Sequence, residues 1–307
     1  MKVLVLGATG FVGKNVCDDL SAVGLTVVKA PPRKTCDLRD MDSTIALLNK
    51  AQPDYLVNCA AQVGSLNYVT NHAGEVITNN ARMILNIYEA IKNLSLSTRV
   101  ISLVANCAYP ATTMEAFKED EWQNGPVHSS VFAYGSVRRF TWAVSKCYEM
   151  QYGTETITLL VPNMYGPGDS TDPDKAHALN ALISKFLRAK RNGEKSVSVW
   201  GTGAPVREWL YVKDFSRIVV HIVREGSDFS EPVNIAQNYG VSIKDLVELI
   251  RHDIGFAGDV VYDTTKVDGA PKKVMDDKRF KDVFPSFKFT PFEVGIPETI
   301  QYYRKFL

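Results

Sequence analysis

The chain contains no uninterrupted apolar run of the roughly 18 residues that a membrane-spanning helix requires. It opens directly on a strand-like stretch, so neither a membrane span nor a signal peptide is expected. A surplus of one charge is also missing. Its 35 Lys and Arg nearly balance 34 Asp and Glu, which disfavours nucleic acid or an acidic membrane surface as a partner. Cysteine is sparse: Cys17, Cys36, Cys59, Cys107 and Cys147 are odd in number, scattered and without C-x-x-C spacing. That usage points to reduced thiols in a cytoplasm and away from a zinc site. There is no internal repeat and no low-complexity linker. A last absence is local: residues 29–34, KAPPRK, contain no acid.

What is present begins at residues 3–13, VLVLGATGFVG, an apolar run ending in Gly7, Gly10 and Gly13. A buried parallel strand that turns on glycine into a helix makes a dinucleotide cradle. Gly7 permits the turn, Gly10 admits a pyrophosphate, and Gly13 lets helix and strand pack closely. The helix N-terminus at Phe11 and Val12 then offers free N–H groups and a positive dipole end. An NAD site carries an acid about 20 residues on, at the end of the second strand, for the ribose hydroxyls. KAPPRK instead offers Lys29, Arg33 and Lys34 to a 2′-phosphate, so NADP is expected rather than NAD. Asp37 follows in the next loop as a candidate adenine contact. Ala60 and Ala61 end the third strand, where small side chains let a cofactor lie close.

At 307 residues the chain can bury a large core in one or two domains. Strand-like stretches at 3–6, 25–29, 55–59, 99–104 and 157–161 alternate with helix-like ones at 12–23, 42–50, 79–93 and 131–152. This alternation predicts an α/β fold, a Rossmann-type doubly wound parallel sheet over residues 1–162. Past Pro162 the texture changes to a turn-rich PNMYGPGDSTD. A helix at 177–192, a strand ending at Trp200, helices at 242–254 and 293–305 and a polar loop, DTTKVDGAPKKV, follow. These predict a smaller C-terminal α/β substrate-binding region, 163–208 and 238–307, with the chain returning to the first domain at 209–237.

Tyr134 and Arg138 stand four apart on a predicted helix, so they share one face. A cation one turn from a tyrosine can hold a nicotinamide ribose and favour the phenolate, readying the hydroxyl to exchange a proton with a substrate oxygen. The G-x-x-G-x-x-G spacing and this pair resemble the extended short-chain dehydrogenase/reductases.

Longer stretches narrow the resemblance. AAQVGSLNYVTNHAGEVITNN, NCAYP, FAYGSVRRF, LLVPNMYGPGD, KAHALNALISKF, VWGTGAPVREWLYVKD and DGAPKKVMD, running nearly end to end, resemble the GDP-L-fucose synthase family. The resemblance implies an NADPH-dependent 3,5-epimerase and 4-reductase acting on a GDP-linked 4-keto-6-deoxy sugar. It implies Tyr134 as the proton donor to the ketone oxygen and Cys107 with His177 as the acid/base pair that inverts carbons beside the ketone. It also implies Asn163, Tyr165, Trp200, Arg207 and Lys272 or Lys273 as nucleotide-sugar contacts, and a homodimer through the helices at 79–93 and 131–152. For Arg207 the competing expectation is a salt bridge to Glu208 or Asp214.

Two positions depart from the family pattern. Val104-Ala105-Asn106 stands where the family has Gly-Ser-Ser, so its catalytic serine is Ala105 here. Arg138 replaces the family lysine and cannot relay a proton. Loss of a polarising donor costs about two orders of magnitude or more in rate, unless Asn106 turns inward to supply one. The departures leave other readings open: an altered substrate or epimerase/reductase balance, an epimerase or C4 dehydrogenase/epimerase on another nucleotide sugar, or a non-catalytic NADP-binding sensor or scaffold.

Overall fold

The computed structural model describes residues 1–111, 115–172, 175–227, 229–266 and 268–307. Its first half alternates strand and helix: β1 Lys2–Leu6, α1 Phe11–Ala22, β2 Thr26–Lys29, α2 Met41–Ala51 and β3 Tyr55–Asn58. Next come α3 Leu66–Asn71, α4 Ala73–Asn93, β4 Arg99–Ala105, α5 Phe132–Tyr152 and β5 Thr156–Val161. The second half runs β6 Asn163–Tyr165, α6 Ala178–Arg191, β7 Ser196–Trp200, β8 Val206–Arg207, β9 Trp209–Tyr211, α7 Val212–Glu225 and β10 Val233–Asn234. It closes with β11 Val241–Ser242, α8 Ile243–Ile254, β12 Asp259–Asp263, β13 Lys272–Lys273, α9 Lys278–Val283 and α10 Phe292–Tyr303.

The main sheet has six parallel strands in the order β10-β5-β4-β3-β1-β2. Its central strands are apolar throughout because both faces are covered. Val16 and Leu20 of α1 pack with Phe215, Ile218 and Ile222 of α7 on one face. Leu48 of α2 and Ile84, Ile87 and Ile91 of α4 cover the other. The strand order reverses between β1 and β3, which opens a crevice at the carboxyl ends of the strands where such folds take their ligands.

The chain leaves this layer at Pro162. It builds a second core from α6, α8 and α10 around Phe186, Trp209, Ile250 and Ile300. It then returns: α7 lies on α1, and β10 pairs with β5.

Two helices were not foreseen. The helix expected at 79–93 begins at Ala73, and α3 precedes it, because 66–78 carries only Val69 and Val76 as buried apolar residues and shows no helical period. The six-residue α9 is too short to display one, yet its Phe280 docks into the core beneath the sheet.

Candidate active site

The glycine turn has the shape its spacing predicts. Gly7 adopts φ +68°, and a Cβ there would lie 2.7 Å from the Cys59 carbonyl oxygen. A Cβ on Gly13 would be driven into the Gly7 carbonyl oxygen, so the β1–α1 junction tolerates only glycine at both places. Gly10 caps α1 without a side-chain bond, and its N–H donates to Gly7 O at 2.9 Å. The N–H groups of the first turn, with no acid nearby, are left for an anion. Ala60 is half-buried and Ala61 exposed where the chain leaves β3 beside this turn.

Past the end of β2 the cations sort themselves. Lys29 is 3.7 Å from Asp18, and Lys34 is exposed. Asp37, the candidate adenine contact, is gripped by Arg39, whose Nε donates at 2.9 and 3.1 Å to its two oxygens. Arg33 Nε is 3.9 Å from the same carboxylate. The hydrogen bond from Arg39 is the main reason the Asp37 pKa falls to about 2, with burial opposing it. Asp37 therefore aligns two guanidiniums, and Arg39 was missed. Its only signal was the Asp-x-Arg spacing, which lets the Arg39 N–H also close on Asp37 Oδ1 at 3.0 Å.

The candidate reactive residues lie where α5 meets the 3₁₀ turn Asn106–Ala108 that follows β4. Contact is close because position 135 is glycine: a Cβ there would lie 2.6 Å from Cys107 O. This brings Cys107 beside Tyr134 and Arg138. The Arg138 guanidinium carbon lies 4.7 Å from the Tyr134 ring centroid, and the arginine is 6 % exposed. Burial raises the Tyr134 pKa above its ordinary 10.0; Arg138 pulls it down and Cys107 adds to the rise. The cation does favour the phenolate as expected, but desolvation outweighs its charge and the hydroxyl keeps its proton. A tyrosine that stays protonated suits proton donation to a ketone. The rate of ketone reduction is accordingly expected to stay flat from pH 7 to pH 9, measured as NADPH consumption under saturating conditions. A fall across that range would mean that Tyr134 ionises there.

Cys107 is held as a thiol by burial, with Lys273 and Arg138 opposing that rise. Ala105 is half-buried, whereas Asn106 is buried and its Nδ2 meets no hydrogen-bond partner among the described residues. Asn106 is therefore the less accessible of the two.

His177 caps α6 from the start of the second core. Its Nδ1 lies 3.1 Å from Asp169 Oδ2, and its backbone N–H donates to the same oxygen at 2.8 Å. Asn180 Nδ2 adds a third bond at 2.8 Å. Burial pushes the Asp169 pKa up, but the hydrogen bonds and charge of His177 outweigh it and the net direction is down. An ionised Asp169 fixes Nδ1 as the donor and leaves Nε2 free to exchange protons. The His177 ring lies 5.3 Å from that of Phe11 on α1, and Asn15 Nδ2 donates to Pro167 O at 2.9 Å. The glycine-turn helix is thus stitched to Pro167 and His177. Asp169 was not foreseen; the GPGD turn was its only trace.

The proposed sugar-nucleotide contacts divide. Asn163 is half-buried at the start of β6. Tyr165 does not line a site: it is 1 % exposed and packs against Tyr211 and Phe292. Trp200 is 55 % exposed at the end of β7, with Lys266 Nζ 5.7 Å from its ring centroid. Neither rival partner takes Arg207. Glu208 accepts from the backbone N–H groups of Gln237 and Met275, and Asp214 accepts from Arg217 and Thr290. Asp268 is the acid that acts on Arg207. In β13, Lys273 is buried opposite Arg207 and acts on Cys107, whereas Lys272 is exposed. Lys273 rather than Lys272 is therefore the one that lies beside Arg207.

Among the described residues no group of three or more His, Cys, Asp and Glu is placed to hold a metal ion. Nor is any described helix long and apolar enough to cross a membrane.

A model of the NAD dependent epimerase/dehydratase family matches residues 3–236. The probable GDP-L-fucose synthase 1 of Oryza sativa subsp. japonica is 30% identical over 302 residues, 98% of this chain and 92% of the relative. The crystal structure of a GDP-L-fucose synthetase from Naegleria fowleri bound to NADP matches with a TM-score of 0.88 at 28% identity, covering 99% of this chain and 92% of that one. A GDP-6-OMe-4-keto-L-xylo-heptose reductase from C. jejuni shares the fold, with a TM-score of 0.89 at 20% identity over 99% and 97% of the two chains.

Proposed function

The chain belongs to the NAD dependent epimerase/dehydratase family, and from that premise we propose that it is an NADPH-dependent epimerase and reductase of a GDP-linked 4-keto-6-deoxy sugar. The observation that carries this reading is the junction of α5 with the 106–108 turn, where Tyr134, Arg138 and Cys107 meet. The cradle fits a dinucleotide because a Cβ would fill it, and Arg33 with Arg39 fits a 2′-phosphate rather than ribose hydroxyls. Bound NADPH supplies a hydride to the ketone carbon.

The protein's own residues do the rest. A carbon beside a ketone loses its proton to one member of the Cys107/His177 pair and regains one from the other on the opposite face, which inverts the centre. Asp169 holds His177 in the tautomer that exposes Nε2 for this exchange. Tyr134 then gives its hydroxyl proton to the former ketone oxygen as the alcohol forms. Arg138 steadies that donor, and no serine hydroxyl assists because position 105 is alanine.

Arg207, Lys273 and Trp200 serve the nucleotide diphosphate and base in this reading, with residues 1–162 and 209–237 holding the cofactor and 163–208 and 238–307 the sugar nucleotide. The test is NADPH consumption with GDP-4-keto-6-deoxy-mannose, with NADH at least about tenfold slower; no consumption would sink the reading. Arg207→Ala is expected to weaken GDP-sugar binding by about 10- to 100-fold, the range for losing a charge-assisted contact of about 1.5–3 kcal/mol. NADPH affinity should stay within about twofold by calorimetry. Equal weakening of both ligands would place Arg207 elsewhere.

The same reading includes a homodimer through α4 and α5, in a cytoplasm that keeps all five cysteines free. On α5, Trp142 and Tyr148 are turned inward against Trp122 and Tyr88, but Phe132, Phe140 and Tyr152 stay exposed, as do Ile77 and Leu85 of α4. Phe140→Glu should convert a dimer to a monomer in light scattering. A monomeric parent protein would remove the dimer from the account.

A further inference from the structure

Helix α5 carries two adjacent stripes. Tyr134 and Arg138 form one. Gly135, Arg139 and Trp142, spaced i, i+4 and i+7, form the other, which meets the turn that holds Cys107 and the chain beyond it. Gly135 admits the Cys107 carbonyl and the Val127 side chain. Trp142 packs on the cluster of Ala108, Tyr109 and Trp122, edge to face with Trp122 at 5.4 Å between ring centroids. Between these two apolar contacts stands a charge.

Arg139 is half-buried, and burial is the influence that lowers its pKa, with no carboxylate acting on it. Its guanidinium takes backbone carbonyls instead. Nε donates to Ala108 O at 2.6 Å and Nη1 to Gly125 O at 2.7 Å. Nη2 is buried without a partner among the described residues, so those two charge-assisted bonds hold the head in place. Ala108 directly follows Cys107, and Gly125 lies where the chain comes back. There the Ala111 N–H donates to Pro126 O at 2.9 Å, and Pro110 bridges Val127. One guanidinium thus ties both ends of the stretch between 108 and 125 to α5.

Three successive carbonyls around the thiol are placed in this way. Asn106 O accepts from the Tyr109 N–H at 3.1 Å, Cys107 O abuts Gly135, and Ala108 O is held by Arg139. A backbone fixed at each peptide sets the direction of the Cys107 side chain. That direction matters, because reacting atoms must come within about 3–3.5 Å of each other, and an error of about 1 Å can cost about 100-fold in rate.

We propose that Arg139 is a positioning residue for Cys107, fixing the turn so that the thiol meets the carbon whose proton it exchanges. Arg139 touches neither sugar nor cofactor in this account; it acts through the backbone of the turn. The inference rests on the reading of Cys107 as one of the inverting pair.

The test runs in deuterated water with GDP-4-keto-6-deoxy-mannose and oxidised NADP in place of NADPH, so that no hydride competes. Proton NMR follows deuterium entering carbon. Rates are expressed per NADP site counted by calorimetric titration, so unfolded protein does not enter them. Arg139→Met keeps an unbranched stem and removes every donor. It should lower the maximal exchange rate per site by about tenfold or more, while KM for the sugar moves less than about threefold. Exchange at the parent rate per site, or a loss carried by KM alone, would overturn the inference and leave Arg139 a packing residue. Where Arg139→Met leaves no NADP sites, Arg139→Gln replaces it: its single amide nitrogen cannot span both carbonyls, and the same outcomes decide. A parent protein that reduces the ketone with NADPH but puts no deuterium on carbon overturns the reading of Cys107 itself, and the inference with it.

Discussion

Tyr134→Phe is expected to lower the rate of ketone reduction by about two to four orders of magnitude, the usual contribution of a positioned proton donor. The substitution removes one oxygen and little else. The ring stays beside the Arg138 guanidinium, the α5 contact through Gly135 is untouched, and the cradle at Gly7, Gly10 and Gly13 lies elsewhere. NADPH should therefore bind within about threefold of the parent affinity, which fluorescence titration reads directly. Proton exchange at carbons beside the ketone should also survive, because Cys107 and His177 remain. Loss of reduction with exchange retained would assign Tyr134 to the reductive step alone. Reduction at the parent rate in Tyr134→Phe would remove the phenol from the mechanism.

Gly13→Ala is expected to weaken NADPH binding by roughly 10- to 100-fold, the equivalent of about 1–3 kcal/mol of overpacking at the cradle. The new methyl would meet the Gly7 carbonyl, with Ala8 Cα only 3.0 Å away. Relief requires the β1–α1 turn to open, and that turn is the surface presented to the pyrophosphate. Gly74→Ala is the matching control. Nothing lies within 4 Å of a Cβ there, at the start of α4, so binding should not change and stability should hold or rise slightly. Calorimetric titration of both variants reads the contrast. An unchanged NADPH affinity in Gly13→Ala would mean that the dinucleotide does not rest on this turn.

These expectations also show which parts of the molecule could be read without coordinates. The cradle could, because only glycine satisfies Gly7 and Gly13, so the constraint is written in residue identity. The alternation that predicted the parallel sheet could too, since strands covered on both faces must be apolar along their length. Partnerships between distant positions could not. Asn80 and Arg138 meet because α4 and α5 lie side by side, and Asp169 reaches His177 through the geometry of one turn. Burial was equally hidden. Tyr165 looked like a sugar contact until Tyr211 and Phe292 closed over it. At Tyr134 the cation four residues away was visible and the desolvation that outweighs it was not. For Lys272 and Lys273 the ambiguity was one residue of strand register, which the pairing of β13 with β8 resolves in favour of Lys273.

The most direct test of the account is to incubate the protein with NADPH and GDP-4-keto-6-deoxy-mannose in deuterated water, then read the sugar by mass spectrometry and proton NMR. The account predicts an alcohol at C4 together with deuterium on carbon at C3, C5 or both. A sugar recovered with its ketone intact and no deuterium on carbon, under conditions where NADPH is bound, would contradict it.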